Sequence, residues 1–188
     1  MREIALHLLD IAENSVAAGG QTIRMDVLED LQDDLLKVSV TDDGRGMDEE
    51  TARRVLDPFY TTRATRKVGL GIPLLKLAAE SSDGGLSLET ESGKGTRIEA
   101  SFRHSHIDRM PLGDIGMTML TLLVSYPHVN WTFNYEVNGK DGSRQFLLDD
   151  KEIKSVLGDV PLTEPDVLKF LRGMIEEGIA SVAPEPVA

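Results

Sequence analysis

His7, Asp10 and Asn14 follow one another at three- and four-residue steps, with Glu13 at the edge of the same strip. On a helix these side chains share one face. A carboxylate and an amide oxygen aligned in this way suit a hard cation such as Mg²⁺ and a water poised beside a phosphate. Asp10 and Glu13 are then the candidate bases and Asn14 the candidate metal-binding residue. Taken alone, the spacing suits a solvated polar face better. Asp42-Asp43-Gly44-Arg45-Gly46 comes straight after the apolar run Leu35 to Thr41. A carboxylate at a strand end can accept a hydrogen bond from an exocyclic ring amine such as that of adenine, while Gly44 and Gly46 let the backbone turn and approach a flat ring. A plain turn uses the same residue types.

Thr61 to Lys76 reads TTRATRKVGLGIPLLK. Between Phe59 and Ala79 stand Arg63, Arg66, Lys67 and Lys76 and no acid, in a chain whose net charge is −12. A glycine-bearing loop that runs into a helix N-terminus offers backbone N–H groups and a favourable dipole to an anion, so a polyphosphate is the natural ligand. A solvent loop with incidental charge is the competing reading. The segment is not a P-loop, and Gly69-Leu70-Gly71-Ile72 lacks the full glycine pattern of a Rossmann turn. Thr96, after the turn Glu91-Ser92-Gly93-Lys94-Gly95, can reach the same pocket as Asp42, although such a turn is ordinary hairpin chemistry.

The elements that must position these residues follow from periodicity. Ile4, Leu8, Ile11 and Ser15 form one stripe, predicting an amphipathic helix over residues 3–18 that ends at Gly19-Gly20. Gln21 to Leu28 and Leu35 to Thr41 alternate like strands, and Asp48 to Leu56 reads as a short helix with an acidic start. Residues 58–71 read as a long loop, Ile72 to Glu80 as a helix, and Gly85 to Thr90 and Gly95 to Phe102 as two more strands. Beyond Arg103 the pattern restarts. A helix from Pro111 to Ser125, a strand from Val129 to Val137, a turn at Asn138-Gly139, a strand from Ser143 to Leu148 and two helices ending near Gly178 are expected. The expected organisation is therefore a domain over residues 1–103, a small α+β unit over 104–182 that packs on it, and a loose proline-bearing tail over 183–188.

Composition limits the function. Residues 1–103 hold 13 basic and 19 acidic side chains and residues 104–188 hold 7 and 13, so each part carries −6 of the total −12. Acidity in both parts argues against a phosphate-tracking nucleic-acid binder and against adhesion to an anionic membrane. The chain has no cysteine, hence no disulfide framework or thiolate metal cluster. Its first apolar run is broken too soon for a signal sequence or a membrane span, and the expected compartment is the cytoplasm.

In this order and at these separations, the four segments resemble the ATP-binding boxes of the family that joins histidine kinases, DNA gyrase, mismatch-repair ATPases and the large heat-shock chaperone, over about residues 3–103. The resemblance implies that Asn14 holds Mg²⁺ and phosphates and that Asp42 recognises the adenine amine. Gly44, Gly46 and Met47 would then shape the pocket, and Thr96 would support adenine. Asp57 to Arg63, DPFYTTR, resembles the box that opens a mobile lid, and Gly69 to Ile72 the glycine box that closes over phosphates. Thr62, Arg63, Lys67, Gly69, Leu70 and Gly71 thereby join the candidate ATP-binding set. The implied fold is a two-layer α/β sandwich of the Bergerat type, with ATP and Mg²⁺ as cofactors.

The hydrolysing branch usually has glutamate four residues before the asparagine, and histidine kinases commonly have asparagine there. This chain has Asp10, which leaves both hydrolysis and phosphoryl transfer open. The first reading is an ATP-hydrolysing switch acting on a protein partner; the second is a protein kinase similar to anti-sigma serine kinases or histidine kinases. With Met1 directly before the first box, a conventional sensor kinase is not expected. Ser105 to Leu112, SHIDRMPL, faintly resembles a phosphoacceptor segment; a linker whose His106, Asp108 and Arg109 touch the nucleotide edge or lid fits the position better, and a purely structural linker fits it best. The chain is also similar to small ATP-binding proteins associated with iron-only hydrogenase and NADH-oxidising gene sets. Homodimerisation stays open.

Overall fold

The computed structural model describes residues 3–57, 71–140 and 142–183. Among them six strands form one mixed sheet: β1 Thr22–Asp30, β2 Leu35–Asp42, β3 Gly85–Glu91, β4 Gly95–Arg103, β5 Asn130–Gly139 and β6 Gly142–Asp149, in the order β3-β4-β2-β1-β5-β6. The pairs are antiparallel except β1 with β5, which run parallel. The helices are α1 Ile4–Ala17, α2 Glu49–Arg54, α3 Gly71–Glu80, α4 Ile115–Ser125, α5 Asp150–Leu157 and α6 Pro165–Val182.

Alternation decides which face is covered. Ile23, Met25 and Val27 of β1, Leu36, Val38 and Val40 of β2, Ile98, Ala100 and Phe102 of β4, and Trp131, Phe133 and Tyr135 of β5 are buried. They meet Ile4, Leu8 and Ile11 of α1, Leu75 of α3, Met119, Leu122 and Leu123 of α4, and Leu171 and Ile175 of α6 in one core. Each such side chain, fully buried, contributes about 1.5–3 kcal/mol before the entropy of ordering is set against it. The opposite face is polar and cross-bonded: Arg24 Nε donates to Asp26 at 2.8 Å, Arg97 pairs with Glu99 at 2.7 Å, and Gln145 donates to Asn134 at 2.7 Å. The result is the expected two-layer α/β sandwich.

The chain on either side of Arg103 shares that sheet and that core. Nine residues of β5 lie alongside β1, and Ile4 and Ala5 at the start of α1 donate their N–H groups to the carbonyls of Pro111 and Leu112 at 3.0 and 2.8 Å. Because the N-cap residue Glu3 makes no side-chain cap, those two carbonyls satisfy donors that α1 would otherwise leave unpaired. The linker is pinned by Glu29, whose carboxylate meets His104 Nε2 at 2.6 Å and accepts from the Tyr135 hydroxyl. Burial, and then the Glu29 carboxylate, push the Tyr135 hydroxyl well above its ordinary pKa.

Three elements differ from the sequence reading. Helix α4 starts at Ile115 rather than Pro111, because Asp114 caps it by accepting from Met117 N at 2.8 Å. The expected Asn138-Gly139 turn is strand, with Asn138 opposite Ser143 and Gly139 opposite Gly142. Helix α6 continues through Gly178 to Val182, and a Cβ at Gly178 would collide with the Phe146 ring, so that glycine permits close packing rather than ending the helix.

Candidate functional site

The candidate site residues gather where β2 ends and β4 begins. Alternation along β2 turns Asp42 toward the helices, where its carboxylate is buried. One oxygen accepts from Ser15 Oγ of α1 at 2.6 Å and the other from the Gly44 N–H at 2.9 Å. Its neighbour Asp43 faces the other way. It accepts from the N–H groups of Gln21 and Thr22 at 2.7 and 2.9 Å, tying β2 to the start of β1. Burial opposes ionisation of Asp43, yet these N–H donors outweigh it and hold the carboxyl below its ordinary pKa. Of the two acids that the sequence leaves side by side, one is thus a latch and the other faces the helix layer.

The loop after Asp42 is built on backbone approach. Gly46 has φ +61° and a Cβ there would lie 2.8 Å from the Glu91 carbonyl carbon; Gly95 has φ +100° and a Cβ would lie 2.9 Å from that of Asp42. Neither position admits a side chain. Thr96 stands directly opposite Asp42 in the β2–β4 register, so the two side chains share a face. Thr90 joins them. Its hydroxyl donates to the Gly95 carbonyl at 3.0 Å and accepts from Met47 N at 2.9 Å, so the 3.1 Å contact with Thr96 is one in which Thr96 donates.

On α1, Asn14 immediately precedes Ser15, and Glu13 and Asp10 follow back along the helix, all three half-buried. The structure brings Asn14, Asp42, Gly44, Gly46, Met47 and Thr96 to one end of the sheet. Gly71, the first residue of α3, packs against Asp10: a Cβ on it would fall 3.0 Å from Asp10 Cγ and nearer still to Oδ2. Thr62, Arg63, Lys67, Gly69 and Leu70, with most of the DPFYTTR segment, lie outside the described residues.

One sequence reading is corrected. His7 does not belong to a solvated strip with Asp10 and Asn14, for it is buried and its Nδ1 lies 3.1 Å from the Gly71 carbonyl oxygen. His106, Asp108 and Arg109 make contacts within the linker and to Asp83, as a structural linker would. Arg109 Nε donates to the His104 carbonyl at 2.6 Å, and His106 Nε2 lies 3.8 Å from Asp83, at the end of β4 away from Thr96. Seven residues of extended strand separate Thr96 from Arg103, about 24 Å. Sequence reading missed two participants, Ser15 and Thr90. Ser15 had a signal: a hydroxyl on the buried stripe of α1 requires a polar partner.

Comparison with known proteins places these features in a family. The sequence model described as "Histidine kinase-, DNA gyrase B-, and HSP90-like ATPase" matches residues 1–106. The non-motile and phage-resistance protein of Caulobacter vibrioides is 32% identical over 117 residues, covering 57% of this chain and 14% of that protein. The sensor protein kinase FleS of Pseudomonas aeruginosa is 38% identical over 89 residues, 47% of this chain and 22% of that one. The chain therefore spans about a seventh to about a fifth of the length of these relatives. Among solved structures, the N-terminal domain of a DNA repair protein superposes with a TM-score of 0.57 over 86% of this chain and 59% of that chain, at 15% identity, a likeness of fold alone. Among the described residues no helix is long and apolar enough to cross a membrane.

Proposed function

Since the chain belongs to the family of histidine kinase-, DNA gyrase B- and HSP90-like ATPases, we propose that it binds ATP with Mg²⁺ at the sheet end marked by Asp42 and acts as an ATP-hydrolysing regulatory switch read by a protein partner. The observation that carries this reading is the fixed carboxylate of Asp42, oriented by Ser15 and Gly44 and set opposite Thr96. Such an acceptor suits the exocyclic amine of a purine.

Asn14, Glu13 and Asp10 extend from that point along α1. Among the described residues no three acidic, histidine or cysteine side chains converge on a cation. Mg²⁺ fits this oxygen-rich strip as an ion held by Asn14 together with the nucleotide's own phosphates, the usual arrangement for a cation that dehydrates reluctantly. When bound it would neutralise phosphate charge. Asp10 is proposed as the acid that takes a proton from water, and the basic run Arg63, Arg66 and Lys67 to form the phosphate lid in a chain otherwise strongly acidic.

The relatives favour a second reading, because several are sensor kinases: transfer of the γ-phosphate to a side chain of a partner. His106 of the same molecule is a poor acceptor, lying at the far end of β4. Incubation with ATP labelled on its γ-phosphate separates the two readings. Free phosphate without labelled protein is the result expected for the switch, and its loss in Asp10→Asn, with ATP affinity retained, would mark Asp10 as the base. Label on a partner protein supports the kinase.

A further inference from the structure

A histidine buried to 1% of its surface must place its ring nitrogens deliberately. His7 Nδ1 lies 3.1 Å from the carbonyl oxygen of Gly71, which is 64 residues away in sequence and begins α3. A carbonyl only accepts, so Nδ1 bears the proton and donates. Asp10, about one turn farther along α1, meets the same glycine from its Cα side, where there is no space for a methyl group. Two side chains of α1 therefore close on the first residue of α3, one at its carbonyl and the other at its Cα.

We propose that His7 and Asp10 clamp Gly71 so that α1 fixes where α3 begins, which makes His7 a positioning residue for the phosphate end of the ATP site. The inference rests on the ATP-binding reading above. Helix α1 already orients Asp42 through Ser15. Eight residues of helix, about 12 Å, separate His7 from Ser15. One rigid element thus references both ends of the ligand: the purine end through Ser15, and the phosphate end through the grip on α3, whose first N–H groups have no partners within the helix. A neutral ring suits this role, since the contact needs one donated proton and no charge. Burial, the largest influence on His7, holds its pKa below the ordinary 6.5 and favours that neutral form.

Calorimetric titration of the full chain with Mg-ATP and, separately, with adenosine tests the clamp. His7→Leu removes the donor and is expected to lose at least about tenfold in ATP affinity while adenosine affinity stays within about twofold. His7→Asn, whose amide nitrogen takes the place of Nδ1, is expected to recover most of the loss. Gly71→Ala presses a methyl group onto the Asp10 carboxylate while leaving His7 in place. It should show the same selective loss, and it carries the test should His7→Leu fail to fold. Variants that lose ATP and adenosine in equal proportion, or lose neither, overturn the clamp and leave the ATP site standing. Wild-type protein that binds neither ligand overturns the ATP reading itself.

Discussion

Ser15 Oγ donates to Asp42 Oδ2 at 2.6 Å, joining the middle of the helical layer to the end of a central strand across 27 residues of sequence. The bond fixes which way the carboxylate points, and with the Gly44 N–H it occupies one lone pair on each oxygen. The remaining acceptor capacity is what a purine amine would use. Asp42→Asn keeps the shape and removes the charge, so calorimetry should find adenine-nucleotide binding weakened by about tenfold or more. Ser15→Ala leaves the acid in place with one donor fewer. Its expected cost is about 1.5–3 kcal/mol of folding stability, measured by urea melts, with a smaller loss of affinity.

Gly95 couples the β3–β4 turn to the same acid. At φ +100°, with the Asp42 carbonyl against its open side, Gly95→Ala combines a strained backbone with a collision, and about 2 kcal/mol or more of stability should be lost in a urea melt. Gly93→Ala is the control, because it too has positive φ but meets nothing within 4 Å. The difference between the two variants isolates the collision.

How far the sequence discloses this site depends on the range of the forces involved. Helix α1, strands β1 to β6 and the grouping of Asn14, Asp42 and Thr96 were legible, since alternation and helical spacing are local signals and four ordered motifs reinforce one another. His7 was misread because its three-residue step to Asp10 looks like a polar face. Only the approach of Gly71, 64 residues on, gives its ring a buried partner. Ser15 was seen as part of a stripe without its partner for the same reason. The joint near Arg103 was read as a division because the pattern restarts there; the parallel pairing of β5 with β1 is a long-range contact that no local period announces. The Asn138-Gly139 turn failed on a smaller scale, because the hairpin register keeps Asn138 paired with Ser143 and Gly139 with Gly142.

His7 should also leave a mark on the pH dependence of stability. Burial, the dominant influence, lowers its folded-state pKa below the ordinary 6.5, so between the two values the unfolded chain holds a proton that the folded chain lacks. Stability then rises with pH across that window. Its contribution is complete above about pH 6.5 and is lost progressively as pH falls toward the folded-state value. Urea melts at a series of pH values from 7 down to 5 should show this slope in wild type and a shallower one in His7→Asn. Equal slopes would mean that the ring gains its proton in the folded state as readily as in the unfolded one.

The parallel pairing of β1 with β5 makes a strong prediction about dissection. A fragment ending at residue 106 keeps every residue that the family model matches, yet loses three supports at once. Strand β1 loses its partner along nine residues and becomes an exposed edge. Helix α1 loses the Pro111 and Leu112 carbonyls that accept from its first N–H groups, and the core loses Met119, Leu122, Leu123, Trp131 and Phe133. At about 1.5–3 kcal/mol for each buried apolar side chain, that loss is comparable with the whole net stability of a typical domain, about 5–15 kcal/mol. The fragment should therefore show no cooperative thermal transition by circular dichroism and should aggregate. Full-length Trp131→Ala, losing about 3–5 kcal/mol, should melt earlier but still as one transition. Two separate transitions in the full chain, or a 1–106 fragment that melts cooperatively near the wild-type temperature, would show that the halves fold independently.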